Sequence, residues 1–390
     1  MLNLFLVAAE ESGDQLGAAL MRALRRRSRE ELSFAGVGGR GMTKEGITSL
    51  CAIDGIALIG FVSVPRRLPR AWRMVRSSVS EVIARRPHAL IIIDSPGLTH
   101  PIARRVRAAA PAIPIIDYVS PSVWAWRPGR AKAMRAYIDH VLAVLPFEPD
   151  VHRKLGGPPC TYVGHPVAER LKELRPNPEE ARRRDTCPPV VLMLPGSRTG
   201  EFQRLFAVFS AAIERVRDRV GALEVVIPTV PHLAGPVRDA SACWPVPPRV
   251  VIEPAEKEAA FRSARAALAK SGTVTLELAV AGVPMVTAYR ASNLEYYTIG
   301  KALGRRLPSI ILPNLILGEN VIPELHQHRC QPDLLADAMV PLIGDTAQRQ
   351  RQLEAFGRLD AIMRSGSSTP SARAADVVLE MLGSGDRKPT

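Results

Sequence analysis

Several acidic side chains in this sequence follow directly on short apolar runs, where they could act in acid–base chemistry. Asp94 comes after one such run, and Glu10, Ser12 and Asp14 follow the run at the N-terminus. An aspartate at the carboxyl end of a buried strand is well placed to act as a general base. The carboxylates after the first run would repel a pyrophosphate, which disfavours a dinucleotide site there. The alternative is that these residues cap the helices or turns that follow.

The loop LPGSR, at residues 194–198, has the composition of a phosphate-binding turn. Gly196 lets the backbone approach a phosphate closely, Ser197 adds a hydroxyl, and Arg198 supplies a bidentate donor. The loop is not a P-loop, because the Gly-Lys-Ser/Thr ending is missing.

A second small-residue turn lies at residues 270–277, with the sequence KSGTVTLE. The backbone N–H groups of Ser271, Gly272 and Thr273, with the hydroxyls, would form an anion site at a helix start. Glu277 lies one turn further on and could accept hydrogen bonds from ribose hydroxyls. The alternative is helix capping, with Glu277 compensating the helix dipole.

Aromatic and basic residues are combined in the segment YVSPSVWAWR, at residues 118–127. Tryptophan faces stack on sugars or cover acyl chains, and arginine binds phosphate, so Ser120, Trp124 and Arg127 are candidate ligand contacts. A buried aromatic corner is the alternative. His165, at the end of a short apolar run, is a further candidate.

Short apolar runs alternate with longer amphipathic ones along most of the chain. Strands are predicted at residues 2–9, 32–37, 89–93, 113–119, 140–145 and 161–163, and then at 190–194, 223–227, 249–252, 266–269 and 284–289. Such strand–helix repeats form parallel sheets with right-handed crossovers. The predicted fold class is therefore α/β, with two doubly wound domains whose ligands bind in a cleft at the carboxyl ends of the strands.

The composition excludes several classes of protein. The 390 residues carry a formal net charge of +14, of which residues 1–165, with 23 Lys and Arg against 13 Asp and Glu, contribute +10. Anionic lipid and phosphorylated substrates are candidate partners, whereas 5% aromatic content and no nucleic-acid-binding motif argue against nucleic acid. No apolar run approaches the ~20 residues that span a bilayer, and the N-terminus lacks a signal-peptide pattern, so we expect a cytoplasmic protein. The five scattered cysteines predict neither disulfides nor a zinc site.

Taken together, these motifs resemble those of the lipid-A-disaccharide synthases, which are inverting glycosyltransferases of the GT-B class with two Rossmann-like domains. One departure lies in the first loop, which reads GETSGD in the family and AEESGD here, with Ala9 for Gly and Glu11 for Thr. The resemblance covers most of the chain in the same order, in the segments 8–24, 34–42, 93–98, 118–130, 142–148, 162–169, 192–198, 270–290 and 312–325.

The resemblance implies the reaction. UDP-2,3-diacylglucosamine donates its sugar to the 6-hydroxyl of 2,3-diacylglucosamine 1-phosphate, giving a β-1,6-linked disaccharide 1-phosphate and UDP. This hexosyltransferase step belongs to lipid A synthesis in Gram-negative bacteria. By the same resemblance the second domain binds UDP, and neither a metal nor another cofactor is needed.

The implied chemistry assigns roles to the candidate residues. Inversion at an anomeric carbon requires a base, and we expect Asp94 to take the proton of the acceptor hydroxyl. Glu10, Ser12 and Asp14 would order sugar hydroxyls or this base. The diphosphate would be met by the two small-residue turns and the ribose by Glu277. We also expect a group of polar side chains in a later segment to face the same cleft: Asn314, Glu319 and Glu324.

The predicted domain boundary lies in the charged, proline-rich segment 165–189. We expect an acceptor- and membrane-facing domain at residues 1–165 and a UDP-sugar-binding domain at 166–350. Helices at 351–382 would return to the first domain, as they often do in GT-B folds, and residues 383–390 would form a tail.

The basic segment at residues 59–86 has the composition of a helix lying on an anionic bilayer. It predicts a peripheral protein on the cytoplasmic face of the inner membrane, whereas the alternative is an ordinary amphipathic surface helix. The sequence leaves open whether the chain forms a homodimer. The residues expected to contact membrane or acyl chains are Phe61, Val62, Leu68, Trp72 and Val75.

Two other functions compete with this hypothesis. Another UDP-N-acetylglucosamine-using GT-B transferase or epimerase of the cell envelope would share the second domain but lack the SPSVWAWR segment. A non-catalytic nucleotide-sugar or lipid-binding module would leave the carboxylates after the strands unexplained.

Overall fold

A computed structural model describes residues 1–51, 64–291, 308–363 and 368–385, with the backbone alone at residues 64–68 and 384–385. The chain divides into two compact units. The first unit comprises Met1–Ala168 together with Arg364–Thr390, and the second comprises Glu169–Met363.

The described part of the first unit contains a seven-stranded parallel sheet in the order β3-β2-β1-β4-β5-β6-β7. The chain runs from β1 outward to β2 and β3, and then returns to add β4 on the other side of β1. This reversal makes the carboxyl ends of β1 and β4 the topological switch point, where doubly wound sheets bind ligands. The strands are β1 Leu2–Ala8, β2 Leu32–Val37, β3 Thr48–Ser49, β4 Ala89–Ile93, β5 Ile115–Tyr118, β6 His140–Ala143 and β7 Cys160–Tyr162.

Helices cover both faces of this sheet, which explains why β4, and β1 from Leu4 onward, are continuous apolar runs. All five residues of β4 are buried, and Phe5, Val7, Leu90 and Ile92 belong to one hydrophobic core. The helices are α1 Glu11–Arg27, α2 Arg40–Lys44, α3 Val64–Arg85, α4 Pro96–Ala109, α5 Gly129–Met134, α6 Glu148–Lys154 and, near the end of the chain, α16 Pro370–Gly385.

The last helix, α16, packs against α1 of the first unit. Arg27 Nη1 donates to Asp376 Oδ1 at 2.8 Å, and Arg373 Nη2 donates to the carbonyl of Tyr162 at 2.9 Å. The end of the chain therefore completes the unit in which the chain begins.

The described part of the second unit contains a six-stranded parallel sheet in the order β10-β9-β8-β11-β12-β13. Here the switch point lies between β8 and β11, because the chain runs from β8 outward to β9 and β10 before returning. The strands are β8 Val190–Leu194, β9 Glu224–Pro228, β10 Arg249–Val251, β11 Ala266–Lys270, β12 Met285–Tyr289 and β13 Glu324–His326.

Helices also cover this second sheet. The long helices α9 and α14 pack side by side, and Arg215 and Arg219 of α9 pair with Asp333 and Asp337 of α14 at 2.5 Å each. The helices are α7 Leu171–Leu174, α8 Pro178–Arg183, α9 Thr199–Val220, α10 Pro231–Ser241, α11 Pro254–Ser263, α12 Val274–Val280, α13 Leu312–Leu317, α14 Pro332–Ile343 and α15 Ala347–Met363.

The predicted α/β class with two doubly wound parallel sheets and C-terminal helices is confirmed. Two short edge strands, β3 and β13, were not among the predicted strands, because two or three residues are too few for a recognisable hydrophobic period. The helix expected within the basic segment at residues 59–86 spans Val64–Arg85.

Gly36 marks a close approach of two strands at the edge of the first switch point. Its φ is +143°, and a Cβ added there would lie 1.8 Å from the carbonyl oxygen of Leu6. We expect Gly36→Ala to lower the free energy of unfolding by about 2–4 kcal/mol, because the strands must separate or the backbone must shift. Denaturant titration measures this loss. Gly97→Ala is the control, since no atom lies within 4 Å of the added Cβ, and a loss at Gly36 no larger than at Gly97 would contradict the geometry.

Candidate active site

Asp94 ends β4 in a strained conformation at the first switch point. Asp94 and Ser95 have φ of +52° and +45°, a region that costs a non-glycine residue about 1–3 kcal/mol. Neighbouring elements hold this turn, because the Asp94 N–H donates to Tyr118 O at 2.9 Å and Thr99 Oγ1 donates to Asp94 O at 2.8 Å. The carboxylate is half-buried, and its Oδ1 accepts a hydrogen bond from Ser95 N at 2.6 Å. The side chain as well as the backbone therefore has a fixed direction, as a general base requires.

The loop after β1 lies against this edge. A Cβ added at Gly13 would be 3.3 Å from the carbonyl oxygen of Ile93, so the first turn of α1 packs on the end of β4. Ser12 is exposed, and Glu10 is half-buried at the N-cap position of α1, where no side chain caps the helix. Neither Ser12 nor Asp14 caps α1, so the alternative interpretation does not hold for this helix.

Asp14 has a role that its position in the sequence did not reveal. The side chain is 4% exposed, and its two carboxylate oxygens accept hydrogen bonds from Gly39 N at 2.7 Å, Gly41 N at 2.7 Å and Met42 N at 2.9 Å. The carboxylate is therefore occupied at the start of α2, where it accepts from Gly39 before the helix and from Gly41 and Met42 within it. This corrects the prediction that Asp14 orders sugar hydroxyls.

The tryptophan-containing segment follows β5, the strand next to β4. Ser120 is buried, and its Oγ lies 2.8 Å from His152 Nε2 of α6. Ser120 is therefore turned into the protein, which corrects the prediction that it contacts a ligand. Trp124 packs edge-on against Phe147 at 5.5 Å between ring centroids, whereas Arg127 is exposed, with its guanidinium 5.3 Å from the Trp126 ring.

A group of buried polar residues beneath this segment was missed by the sequence analysis. Glu148 is 2% exposed, and its Oε2 accepts a hydrogen bond from Leu145 N at 3.0 Å. In β5, Asp117 Oδ2 lies 3.2 Å from Nε2 of His100, which belongs to α4, and both residues are buried. The segment LPFE at residues 145–148 contains the one available signal, an acidic residue directly after an apolar run.

His165 lies at the end of the first unit, just after β7. It is half-buried, and its Nδ1 accepts a hydrogen bond from Val167 N at 3.2 Å. The ring therefore supports the start of the 3-10 helix Pro166–Arg170.

In the second unit, both predicted small-residue turns line one cavity of about 400 Å³. They approach each other because they follow β8 and β11, the two strands of the second switch point. Among the residues lining the cavity are Gly196, Ser197, Gly272, Thr273 and Glu277.

Ser271 is placed differently from the prediction. Its backbone N–H donates to Ala288 O at 2.9 Å, so it continues the pairing of β11 with β12 and is not available to an anion. Its side chain is buried. The backbone donors proposed for this turn are thereby reduced to those of Gly272 and Thr273.

Of the two charged candidates, Glu277 lines the cavity, whereas Arg198 follows the lining residue Ser197 and is not itself among the lining residues. Both have charged neighbours that were not predicted. Glu277 pairs with Arg170 at 2.9 Å and with Lys257 at 3.0 Å. Arg198, whose side chain is 58% exposed, lies 3.3 Å from Glu201 of α9. Arg170 and Lys257 are distant from Glu277 in the sequence, so no spacing rule identifies them, whereas Glu201 follows Arg198 at the i, i+3 spacing of a helical pair.

Two of the three candidate polar side chains in the PNLILGENVIPE segment, Asn314 and Glu324, are hydrogen-bonded to nearby residues of the chain. Asn314 is 2% exposed, and its amide donates to Ile322 O at 3.0 Å and to Glu324 Oε1 at 2.9 Å. Glu324 also accepts from Ile310 N at 3.0 Å, and Glu319 pairs with Arg358. Asn314 and Glu324 are thus occupied within the protein, which corrects the prediction that they face a ligand, whereas for the half-buried Glu319 it stays a prediction.

The helix α3 presents only part of the predicted lipid-contacting set. Trp72 is 50% exposed, whereas Val75 is 4% exposed and lies in the core with Met74, which corrects the prediction for Val75. Phe61, Val62 and the side chain of Leu68 lie outside the described residues.

Two features that would bear on function do not occur among the residues that the structure describes. None of their helices is long and apolar enough to span a bilayer. Nor do these residues bring together three or more His, Cys, Asp or Glu side chains that could hold a metal ion.

A doubly wound parallel sheet in each unit, with polar loops at each switch point, defines a two-domain protein of the GT-B type. Solved structures of this fold resemble the chain over its whole length. The S. aureus MnaA–UDP co-structure has a TM-score of 0.67 at 12% identity, covering 100% of this chain and 99% of that one. MurG of Acinetobacter baumannii has a TM-score of 0.57 at 13% identity, covering 98% and 100%.

The particular family follows from the sequence comparisons. The family model for lipid-A-disaccharide synthetase matches residues 4–377. The lipid-A-disaccharide synthase of Rhodopseudomonas palustris (strain BisB18) is 56% identical over 380 residues, which are 97% of this chain and 96% of that protein. That of Bradyrhizobium diazoefficiens is 53% identical over 385 residues, or 99% and 98%. The chain therefore belongs to the lipid-A-disaccharide synthetase family, and the predicted family, enzyme class and lipid A disaccharide-forming reaction are confirmed.

The buried Glu148 predicts a pH dependence of stability. Burial raises the pKa of Glu148 to about 8, so the folded protein binds a proton that the unfolded chain releases above its ordinary value of 4.5. Stability should therefore fall as the pH rises from about 4.5 to about 8. Denaturant titrations at pH 5, 6.5 and 8 should show this fall in the wild type and a weaker one in Glu148→Gln. The exposed Glu31→Gln serves as control, and a Glu148→Gln protein with the wild-type pH slope would contradict the assignment.

Proposed function

We propose that this chain transfers the sugar of UDP-2,3-diacylglucosamine to 2,3-diacylglucosamine 1-phosphate, with UDP held in the second unit and the acceptor in the first. The observation that carries the proposal is the cavity of the second unit, where two small-residue turns meet at one switch point. The family membership gives the reaction, and the roles of individual residues are argued from their positions.

The donor nucleotide is assigned to this cavity. Gly196 has a φ of +116°, a conformation that favours glycine in the turn, and the neighbouring Ser197 contributes a hydroxyl to the cavity. Across the cavity, Gly272 and Thr273 belong to the second turn. Arg198 is exposed enough to turn toward the diphosphate, whose negative charge grows as the glycosidic bond to it breaks.

Glu277 is assigned to the ribose. Its carboxylate is 21% exposed and is fixed from two sides by Arg170 and Lys257. A carboxylate held in this way offers its remaining lone pairs to a diol.

Asp94 is assigned as the base of the reaction. Its carboxylate would accept the proton of the acceptor 6-hydroxyl as that oxygen bonds to the anomeric carbon and the bond to UDP breaks. Ser12, exposed beside it on α1, and Glu10 are the groups of the adjoining loop that would orient the acceptor sugar. Trp124 and Arg127 are assigned to the same acceptor, as an apolar surface and a phosphate partner.

Replacing Asp94 tests the base assignment. Asp94→Asn keeps the size of the side chain and removes its basicity, so we expect kcat to fall about 100-fold or more. UDP affinity should stay unchanged, because the nucleotide is assigned to the other unit. The measurements are disaccharide formation under saturating substrates and calorimetric titration with UDP.

Asp150→Asn is the matched control for this substitution. Asp150 is an exposed residue of the first unit whose partner is Arg153 on the same helix, and its replacement should leave both measurements unchanged. A folded Asp94→Asn protein with near-normal turnover would remove Asp94 from the role of base.

The first unit is also proposed to lie on an anionic membrane surface. Arg70, Arg73 and Arg76 are exposed on α3 beside Trp72, and the Arg105 guanidinium lies 4.9 Å from the Trp72 ring. An exposed indole flanked by arginines is the pattern of a surface-lying helix. This supports a peripheral location on the cytoplasmic face of the inner membrane, where acylated sugars reside.

Vesicle binding tests the membrane proposal. We expect sedimentation with vesicles containing anionic lipid at low salt and release at high salt, because the attraction is electrostatic. Arg73→Gln/Arg76→Gln should weaken binding about tenfold or more, at roughly 1 kcal/mol per charge. Arg26→Gln/Arg29→Gln removes two exposed charges elsewhere on the same unit and should have a smaller effect. Equal binding to neutral and anionic vesicles would contradict the proposal.

A further inference from the structure

Glu201 is a buried carboxylate between the two turns of the nucleotide cavity, and the proposed mechanism gives it no role. Its side chain is 7% exposed, in the first turn of α9. Oε1 of Glu201 lies 3.0 Å from Lys270 Nζ and 3.3 Å from Arg198 Nη1. A buried carboxylate is tolerated when it is paired, and here one oxygen serves two cations.

Glu201 also packs against the backbone of the first turn. A Cβ added at Gly196 would lie 2.6 Å from Glu201 Oε2 and 2.7 Å from Glu201 Cβ. Glu201 therefore contacts the turn after β8 through Gly196 and Arg198, and reaches the strand before the second turn through Lys270. It connects the two sides of the switch point.

Lys270 is the last residue of β11, and its side chain folds back over the second turn. Its Nζ lies 3.2 Å from the position of a Cβ added at Gly272, and its side chain is 18% exposed. The ammonium group is thus at the small-residue turn, inside the cavity lined by Gly196 and Ser197.

The charges of the cavity are divided unequally. At the Glu277 end there are two cations, Arg170 and Lys257, and two carboxylates. The second carboxylate is Glu258, which pairs with Arg170 at 2.8 Å, so the charges at this end balance. Around Glu201, two cations share one carboxylate. The surplus positive charge therefore lies at the Glu201 end, as an anionic ligand requires.

We propose that Lys270 is a second cation of the nucleotide-diphosphate site, beside Arg198, and that Glu201 is the residue that positions both. The inference rests on the proposed function, which assigns UDP to this cavity. It adds a phosphate donor and a positioning carboxylate that the two turns alone do not supply. The diphosphate would accept hydrogen bonds from those N–H groups of Lys270 and Arg198 that Glu201 does not use.

The test compares UDP with uridine, which lacks the phosphates. We expect Lys270→Met to weaken UDP binding about 10- to 100-fold in calorimetric titration, the effect of one charged hydrogen bond, and to leave uridine binding unchanged. Lys270→Arg should retain most of the preference for UDP. Thermal unfolding of each variant checks that the protein is folded.

Two matched Lys→Met substitutions serve as controls. Lys257→Met acts at the ribose end and should change UDP and uridine affinity by the same factor. Lys172→Met removes an exposed lysine of α7, outside the cavity, and should change neither.

The positioning role of Glu201 is tested with variants of Glu201 made with and without Lys270→Met. Glu201→Ala should reduce the ratio of UDP to uridine affinity, because Lys270 and Arg198 lose the group that holds them together. Glu201→Gln retains an acceptor oxygen and should restore most of that ratio. In the Lys270→Met background, Glu201→Ala should cost less than it does alone, since part of its effect passes through Lys270.

The outcomes separate this inference from the proposed function. If the wild-type protein binds UDP and Lys270→Met has the same ratio of UDP affinity to uridine affinity as the wild type, the role of Lys270 is overturned. The UDP site itself would then still stand. An unchanged or higher ratio in Glu201→Ala would overturn the positioning role. Wild-type protein without measurable UDP affinity would overturn the UDP site and this inference with it.

Discussion

The constraint on which the rest of this structure depends is the burial of both faces of each parallel sheet. Strands such as β4 and β8 are buried along their whole length, so they cannot carry polar side chains into a ligand site from their faces. Polar chemistry is therefore confined to the ends of the strands. In each unit, the reversal of strand order opens one place at the carboxyl edge where two loops diverge. Asp94 lies at the first of these places, and the two small-residue turns lie at the second.

The loops at the carboxyl edge of each sheet are held in place by hydrogen bonds, and many of the polar side chains supply these bonds. Asp14 holds the start of α2 through three backbone N–H groups, and Ser120 joins the tryptophan segment to His152. Asn314 binds its own segment in the same way. The left-handed conformation of Asp94 is stable only because β5 and α4 hold the turn from two sides. These residues act on the chemistry by fixing the groups beside them.

The sequence was sufficient to predict the fold class and the loops that meet at each switch point, because both follow from hydrophobic period and strand order. It did not reveal which way each polar side chain is directed. Asp14, Ser120, Asn314 and Glu324 have the residue types of ligand contacts, yet their hydrogen bonds are made within the protein.

Ion pairs between residues far apart in the sequence could not be predicted either. Glu277 lies 107 residues from Arg170, and the two are brought together only by the fold. Val75 is a different case. It lies one residue from Met74 and on the same helix face as Ala71, so its burial follows from the helical period of α3. Val75 was assigned to lipid contact because the surrounding segment is rich in positive charge.

The central claim is that this chain joins two acylated sugars, with UDP leaving as the new bond forms. The most direct measurement is the simultaneous quantification of UDP and disaccharide when purified protein is incubated with UDP-2,3-diacylglucosamine and 2,3-diacylglucosamine 1-phosphate. The account predicts equimolar UDP and disaccharide 1-phosphate, with poor turnover when UDP-N-acetylglucosamine replaces the acylated donor. Equal efficiency with the unacylated donor, or UDP release without disaccharide, would contradict it.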